Sequence, residues 1–366
     1  MDGSELRRTP LEGEHRALGA KLGPFAGWLM PIEYEGTLSE HRAVRERVGL
    51  FDLTHLGKVD VVGPGGLALL QHVLTNDLSK AAVGRALYNL VLNDRGGIEE
   101  DLIVYRLDDE RWFVVPNASN TAKVIAMLRG EARGADVVHL EDWCFLGVQG
   151  PRSLEVVGTL FPEAADLPFM GCVETEYAGG RLVLTRSGYT GELGFELFTA
   201  GSLAARLWGD LMDAGDPFQI EPCGLGARDV LRLEMGYPLC GQDLLPDRTP
   251  LEAGLSWAVK LDKGDFRGRN ALLRQGESGL PVRLRGLVME ERRYIPRQHH
   301  RVYADGSEAG EVTSGTFSPT LRLGIALAYL SPADAFDPGR SLEVDVRGRQ
   351  GPARVVQPPF VGRDPR

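Results

Sequence analysis

One strand-turn-strand pattern limits the possible folds more than any other feature of this sequence. The runs ALYNLVL (86–92) and IEEDLIVYR (98–106) are rich in apolar and β-branched residues, and the turn NDRGG (93–97) separates them. Because Asn and Gly favour tight turns, the pattern predicts two strands joined as a hairpin. Alternate residues of a strand share a face, so Asp101 lies on the same apolar face as Tyr105. An acid in such a place needs a partner or a function.

Helical and strand patterns alternate along the rest of the first 280 residues. The capping-box spacing of Thr37 and Glu40 predicts a helix that ends by Gly49. Further helices are predicted around Leu67, Leu70 and Leu74 and over residues 119–129, 202–214 and 226–236. Further strands are predicted over residues 112–116, 181–185 and 193–198. The mixture indicates an α+β fold.

The pattern changes near Pro281. Short strands with turn residues between them continue from there, which is typical of a small antiparallel barrel or sandwich. Residues 262–281 are predicted to form a connecting loop. The sequence therefore predicts two domains, residues 1–280 and residues 281–366.

Composition and charge exclude several classes of protein. The net charge of −10 argues against a nucleic-acid binder and against a protein of anionic membrane surfaces. The longest apolar stretches, such as residues 323–330, are far shorter than the roughly 20 residues of a membrane helix. The first residues lack an apolar signal segment, so we expect a cytoplasmic protein. Four cysteines without CxxC spacing favour neither a zinc site nor a disulfide framework: Cys144, Cys172, Cys223 and Cys240.

The generic catalytic motifs do not occur in the sequence. There is no GxGxxG between a strand and a helix, no phosphate loop with GK[ST], no GxSxG elbow and no HExxH. What remains is a set of polar groups on or beside apolar elements: Tyr88, Asp101, Asn117, Tyr189, Glu196 and Arg228.

Eight runs along the chain carry a resemblance to a known family. In order, they are TPLEGEHRALGAK, FAGWLMPIEY, EHRAVRERVGLFDLTHLGKV, GGIEEDLIVY, RSGYTGELGFE, PCGLGARDVLRLE, TPLEAGLSWAVKLDKGDFRG and GEVTSGTFSPTL. Together they resemble the aminomethyltransferase, or T-protein, family of the glycine cleavage system over residues 9 to 361. The resemblance implies a two-part folate-binding body of two interleaved subdomains, with antiparallel sheets and flanking helices. A C-terminal small β-barrel domain follows that body.

The resemblance also implies a reaction and its partners. The lipoylated H-protein of the glycine cleavage system brings an aminomethyl group on sulfur, and tetrahydrofolate, as co-substrate, takes its carbon. Ammonia and 5,10-methylenetetrahydrofolate are the products. No metal, nucleic acid or membrane is implied.

Two carboxylates carry the chemistry that the resemblance implies. Asp101 matches the catalytic aspartate, which would orient the folate amines and relay a proton. The alternative is a structural role, in which Asp101 accepts hydrogen bonds from backbone groups of the hairpin. Glu196 matches the acid that accepts paired hydrogen bonds from the pterin edge, and its alternative is a strand-edge acid that faces solvent. The alternation with Phe195 and Leu197 puts Glu196 on the other face of its strand.

The remaining site residues follow from the same matches. Asn117 corresponds to a pterin-contacting asparagine, and its alternative is a helix N-cap. Arg228 corresponds to a folate-binding arginine, and its alternative is a helix-surface arginine paired with Asp229 or Glu234. Aromatic positions that line the folate cavity are matched by Tyr88 and Tyr189 and, more weakly, by Tyr237.

The sequence departs from the family pattern at three places. The family has Asp where Glu100 stands, commonly Met where Leu56 stands, and Tyr where Cys240 stands. Leu for Met conserves apolar volume. Cys for Tyr enlarges the local cavity or changes its packing, and both outcomes stay open. Glu100 receives no role from the resemblance.

Two rival functions stay open at this stage. A folate-dependent demethylase of a small S-, N- or O-methyl donor uses the same scaffold. A noncatalytic folate-binding assembly factor resembles the architecture but carries a KGCYxGQE-type segment, which this sequence lacks.

The carrier of this system is typically acidic, so a chain of net charge −10 needs segregated charge to meet it. Residues 281–301 contain more arginines than acids and are predicted to form part of a docking surface; the alternative is a solvated loop. The arginines are Arg283, Arg285, Arg292, Arg293, Arg297 and Arg301, against Glu290 and Glu291.

Overall fold

A computed structural model describes residues 6–365 of the chain. The α-helices within them are α1 (Glu12–Ala17), α2 (Thr37–Glu46), α3 (Gly66–Val73), α4 (Thr121–Glu131), α5 (Ser153–Leu160), α6 (Ala204–Gly215), α7 (Leu225–Glu234) and α8 (Arg269–Ser278). The strands of the first 280 residues are β1 (Arg7–Arg8), β2 (Lys21–Phe25), β3 (Trp28–Glu33), β4 (Gly49–Asp52), β5 (Val59–Val62), β6 (Arg85–Leu92), β7 (Ile98–Arg106), β8 (Arg111–Pro116), β9 (Asp136–His139), β10 (Trp143–Gln149), β11 (Gly171–Tyr177), β12 (Gly180–Arg186), β13 (Gly194–Ala200) and β14 (Glu221–Cys223). The remaining strands are β15 (Arg283–Met289), β16 (Arg301–Ala304), β17 (Ser307–Ser318), β18 (Leu323–Leu330), β19 (Ser341–Asp345) and β20 (Gln350–Val356).

One eleven-stranded sheet forms the centre of the body, in the order β14-β4-β10-β13-β12-β11-β6-β7-β8-β5-β9. Every pair of neighbouring strands in this sheet is antiparallel except the pair β14 and β4, which is parallel. Its two halves meet where β11 and β6 share a single register pair, Gly171 with Arg85. The chain enters the first half with β4, builds the second half with β5 to β9, and returns to the first half with β10. A small three-stranded sheet, β1-β3-β2, lies outside it.

The hairpin predicted over residues 86–106 is present as β6 and β7, with Leu90 opposite Asp101. The turn is closed by Asn93, whose Oδ1 accepts hydrogen bonds from the backbone N–H of Arg95 and Gly97 at 2.9 and 3.0 Å. Gly96 has φ +81°, a conformation that favours glycine. The hydrogen bonds of the Asn93 side chain thus fix the turn between β6 and β7, and Asp101 lies on β7.

The helix predicted from Thr37 is present, but its bounds and its cap differ from the prediction. The N-cap is Gly36, and Thr37 is already helical, so its hydroxyl donates to Glu33 instead of capping the helix. Glu40 does accept the N–H of Gly36 at 3.2 Å, which is one half of a capping box. The helix ends at Glu46, before the glycine at position 49, because that glycine is the first residue of β4.

The connecting loop predicted over residues 262–281 is wrong for its second half. Residues 269–278 form α8, in which Leu272 is fully buried against Leu92 and Phe266. A single buried leucine gives this short helix only a weak periodic pattern. The four glycines and one proline of residues 262–281 favour a loop, so the pattern did not indicate a helix.

The C-terminal strands form a closed six-stranded barrel in the order β15-β18-β17-β16-β19-β20, which confirms the predicted barrel and the α+β fold class. Its interior is apolar and includes Leu287, Val312 and Val344. The barrel meets α7 of the body, where Leu233 packs on Ile325 and Leu327. The domain boundary at residue 280 stays a prediction.

Helices cover the two halves of the large sheet with separate cores. Helices α5 and α6 lie on the first half, and α3 and α4 lie on the second. A third cluster, which includes Phe51, Phe113 and Phe198, lies between the halves.

Across residues 6–365, no helix combines the length and the apolar character needed to span a membrane.

Candidate active site

A cavity of about 1410 Å³ opens where the two sheet halves, α7 and the barrel meet. Apolar side chains such as Leu102 and Phe145 form much of its wall. The structure brings all seven site residues predicted from the sequence to this wall: Tyr88, Asp101, Asn117, Tyr189, Glu196, Arg228 and Tyr237.

Asp101 is held by two hydrogen bonds, one to each carboxyl oxygen. The hydroxyl of Tyr88 donates to Oδ2 at 2.9 Å, and the amide of Asn117 donates to Oδ1 at 2.9 Å. Burial raises the pKa of Asp101 to about 6, although both hydrogen bonds oppose the rise. A carboxyl with a pKa near the working pH can both accept and return a proton.

Asn117 bonds the hairpin and does not cap the helix that follows. Its side chain makes no cap hydrogen bond, so the N-cap alternative is wrong. Instead Nδ2 donates to the backbone O of Asp101 at 2.9 Å and to Oε1 of Glu100. The asparagine therefore joins the end of β8 to the two acids of β7.

Glu196 is an interior residue of the sheet and not a solvent-facing edge acid. It lies on β13, between β10 and β12, and is 8% exposed. Oε2 accepts hydrogen bonds from Ser187 at 2.6 Å and Tyr105 at 3.2 Å, and no residue from 6 to 365 donates to Oε1. Burial raises the pKa of Glu196, against the hydrogen bond from Ser187 and the charge of Arg228. One oxygen is thus left for a donor in the cavity.

Arg228 carries the opposite charge in the same wall and lacks a carboxylate partner. Within residues 6–365 its guanidinium makes no hydrogen bond or ion pair, since Asp229 pairs with Arg232 and Glu234 pairs with Arg45. The guanidinium lies over the ring of Tyr189, 4.9 Å from its centroid. Burial lowers the pKa of Arg228, and the charge of Glu196 opposes that shift. The pairing predicted for a helix-surface arginine is therefore wrong.

The two predicted tyrosines beyond Tyr88 stack on each other. The rings of Tyr189 and Tyr237 are 5.6 Å apart with an interplanar angle of 24°. The hydroxyl of Tyr189 donates to the carbonyl of Pro238, which fixes the ring against the segment that follows α7. A Cβ at Gly188 would meet Gln149 at 2.0 Å, so glycine lets the turn before Tyr189 pack closely. The pair forms a flat, apolar part of the wall.

Sequence reasoning missed one residue of the cavity wall, Trp257, and one residue directly behind it, Glu100. Trp257 lines the cavity and stacks on Tyr88, with ring centroids 5.2 Å apart, although 56% of the residue is exposed. Glu100 is 1% exposed, yet it contacts Asn117 and the backbone of Asp101. Both stand in runs that resemble the family, but neither alternation nor spacing marks them as site residues.

The two apolar departures, Leu56 and Cys240, also line the cavity. Donor atoms of Cys240, Glu100 and Asp101 lie within 4.8 Å of one another. Both oxygens of Asp101 already accept hydrogen bonds from Tyr88 and Asn117, and burial raises the pKa of the Cys240 thiol, which disfavours the thiolate. We therefore assign no metal to this cluster.

The arginines of residues 281–301 differ in their location and in their ion pairs. Arg283 and Arg285 line the cavity on its barrel side. Arg293 pairs with Glu291, and Arg301 pairs with acids of β17, whereas Arg292 and Arg297 are exposed. The positive charge of this stretch is therefore partly neutralised.

Comparisons with known proteins bear on the whole chain. Residues 11–263 match the family described as the GCVT N-terminal domain, and residues 283–362 match the glycine cleavage T-protein C-terminal barrel domain. An aminomethyltransferase of Frankia alni is 48% identical over 99% of this chain and 100% of its own length. An aminomethyltransferase of Mycobacterium leprae is 45% identical over 98% of each chain.

A solved structure agrees with these sequences. The crystal structure of the glycine cleavage system aminomethyltransferase T from Bartonella henselae superposes with a TM-score of 0.93 at 35% identity. The match covers 98% of this chain and 99% of that one.

Proposed function

Since the chain belongs to the glycine cleavage T-protein family of aminomethyltransferases, we propose that its cavity moves the carbon of a carrier-bound aminomethyl group to tetrahydrofolate. Tetrahydrofolate is the folate that this family uses. The carrier we propose is the lipoylated H-protein of the glycine cleavage system. One observation carries the proposal: Asp101 and Glu196, which come from opposite halves of the sheet, line one cavity.

The chemistry of the wall fits a reduced folate. A pterin presents a guanidine-like donor edge, and Glu196, which lines the cavity, offers it a carboxyl oxygen that lacks a donor among residues 6–365. The stacked rings of Tyr189 and Tyr237 suit a flat ligand, and such aromatic contacts contribute about 0.5–1.5 kcal/mol beyond burial. At about 1410 Å³, the cavity exceeds the roughly 300–1,000 Å³ of common ligand pockets, which leaves room for a second substrate.

Asp101 is proposed to orient the folate amines and to handle their protons. In the net reaction the two folate nitrogens lose two protons, while the carrier sulfur gains one and the departing amine gains the other. The carboxylate of Asp101 can accept one such proton and return it, because its pKa is about 6. Tyr88 and Asn117 hold both carboxyl oxygens and so fix the direction of transfer.

The docking of the carrier is proposed to involve the arginine-rich residues 281–301. Arg292 is exposed, and Arg283 lies at the cavity wall on the same domain, so an acidic partner could be steered towards the opening. Ion pairs such as Arg293 with Glu291 weaken the positive electrostatic potential of residues 281–301 without removing it. The cytoplasmic location expected from the sequence stays a prediction.

The proposed function is tested by supplying aminomethylated carrier and tetrahydrofolate and measuring ammonia and 5,10-methylenetetrahydrofolate. We expect both products in equal amounts, and neither without the folate. A folate-dependent demethylase would instead consume a small methyl donor and leave the aminomethyl carrier unchanged. A noncatalytic folate binder would bind the folate and release nothing.

A further inference from the structure

Glu100 is a buried carboxyl to which the reaction outlined above gives no task. It lies on β7, is 1% exposed, and accepts the backbone N–H of Asp101 at 3.0 Å through Oε1. The same oxygen accepts the amide of Asn117. Oε2 is buried, and no group within residues 6–365 bonds to it. A buried carboxyl oxygen without a donor is costly when the group is charged.

A β-bulge lies directly before Glu100 in β7. Consecutive residues of a regular strand point to opposite faces, so Glu100 and Asp101 should diverge. The register shifts here, because Val91 pairs with Glu100 while Leu92 pairs with Ile98. A bulge of this kind re-aims side chains and is common beside active sites. Glu99 is the extra residue of the bulge, and the carboxyls of both Glu100 and Asp101 reach the side chain of one asparagine.

The amide of Asn117 cannot satisfy all its neighbours at once. Nδ2 carries two hydrogens, yet three acceptors surround it: Oε1 of Glu100, and Oδ1 and the backbone O of Asp101. The charge on each carboxyl therefore decides where the amide points. An ionised Glu100 competes with Asp101 for it, whereas a neutral Glu100 competes less.

Within residues 6–365, the groups that face this pair include no cation. They are Tyr88 from β6, Asn117 and Asn120 from the turn after β8, and Cys240 and Asp243 from the segment after α7. Lys123 pairs with Glu99 instead. Burial and the charge of Asp101 raise the pKa of Glu100 to about 7. Asp101 accepts a hydrogen bond on each carboxyl oxygen, whereas Oε2 of Glu100 has no donor among residues 6–365, so the negative charge of the pair is better stabilised on Asp101.

We propose that Glu100 is a positioning residue that keeps a proton while Asp101 is ionised, so that the pair holds one proton and one negative charge. In that state Asn117 donates to Asp101 and fixes it towards the folate amines. Loss of the Glu100 proton places a second charge beside Asp101 and draws the amide away from it. The inference rests on the proposed function, because it concerns the same transfer.

The pH dependence of transfer tests this arrangement. The wild-type rate should rise as Asp101 ionises near pH 6 and fall as Glu100 ionises near pH 7. Glu100→Gln is neutral at every pH and keeps an acceptor for Asn117, so it should lose the falling limb and keep the rising one. The ratio of variant to wild-type kcat should grow by roughly 25-fold between pH 6.5 and 8.5.

Two further variants separate positioning from folding. Glu100→Asp restores a titrating carboxyl and should restore the falling limb. Glu99→Gln changes the adjacent acid, which pairs with Lys123, and should leave the profile as in the wild type. Quenching of tryptophan fluorescence by tetrahydrofolate should give the same affinity for all four proteins.

The outcomes are distinct. A falling limb that survives in Glu100→Gln overturns the proposal, as does a loss of rate by the same factor at every pH, which would indicate a purely structural role. If the wild type releases no ammonia from the carrier at any pH, the proposed function fails instead.

Discussion

Asp101 on β7 and Glu196 on β13 belong to different halves of one sheet, and both side chains line the same cavity. The halves are joined at the single register pair between β11 and β6, so the cavity spans a seam in the sheet. Each half contributes one acid to the wall. Substitutions at the two acids should therefore separate binding from transfer.

Asp101→Asn should leave folate binding largely intact and depress transfer. The amide keeps the size of the side chain and can still accept a hydrogen bond, but it cannot take a proton. Loss of general acid–base function should lower kcat by about 10²- to 10⁴-fold, with a small change in the Kd for tetrahydrofolate. Ammonia release and fluorescence quenching measure the two effects.

Asp109→Asn serves as the matched control, because that side chain is 88% exposed and pairs only with Arg106 among residues 6–365. It should resemble the wild type in both assays. Equal transfer rates for Asp101→Asn and the wild type would remove Asp101 from the mechanism.

Glu196→Gln should have the opposite signature, with weaker binding of folate. The buried carboxylate would lose charge-assisted bonds worth about 1.5–3 kcal/mol each, so the Kd should rise by roughly 10- to 100-fold. Glu176→Gln, on the exposed side of β11, provides a control of the same chemistry. An unchanged Kd in Glu196→Gln would show that the pterin lies elsewhere.

Glu234→Gln should destabilise the fold, because it disrupts a buried network between the body and the barrel. Oε2 of Glu234 accepts hydrogen bonds from Arg45 at 2.7 Å and His41 at 2.9 Å, and Oε1 accepts one from Ser318 on β17. Removing one partner of a buried pair costs about 3–5 kcal/mol. Urea denaturation at pH 7 measures the change.

The same network predicts a pH dependence. Burial alone would raise the pKa of Glu234, but the hydrogen bond from His41 and the charges of His41 and Arg45 lower it to about 2. A lowered pKa means that the contribution is present above the ordinary value of 4.5 and is lost as the pH falls towards 2. Glu12→Gln, in the surface pair with Arg16, should change the free energy of unfolding at pH 7 far less than Glu234→Gln does.

Reversing the charge at Arg292 and Arg293 should weaken the encounter with the carrier. The double change to Glu should raise the KM for carrier, most at low salt, and leave the Kd for folate unchanged. Changing both Arg152 and Arg206 to Glu alters the net charge by the same amount at two exposed arginines outside residues 281–301 and serves as the control. If the KM for carrier is the same in both variants, the docking surface lies outside residues 281–301.

The sequence predicted those features that depend on local spacing. The hairpin and the face occupied by Asp101 follow from alternation and from the Asn and Gly residues of one turn. The burial of Glu196 follows in part from its alternation with Phe195. The resemblance to a family brought the seven site residues together, which spacing alone could not do.

Features that depend on distant contacts could not be predicted in this way. Among residues 6–365 Arg228 has no carboxylate partner, because Arg45, 189 residues before Glu234, pairs with that acid and Arg232 pairs with Asp229. The proposed role of Glu100 depends on its contact with Asn117, 17 residues further along the chain, which leaves no mark in composition or periodicity. Helix α8 depends on one buried leucine packed against a distant hairpin.

The most direct measurement is a crystal structure of the protein with tetrahydrofolate bound. We expect the donor edge of the pterin to bind Oε1 of Glu196, and the reactive nitrogen of the folate to lie within hydrogen-bond reach of Asp101. A folate bound outside the cavity, or one that touches neither acid, would contradict this expectation.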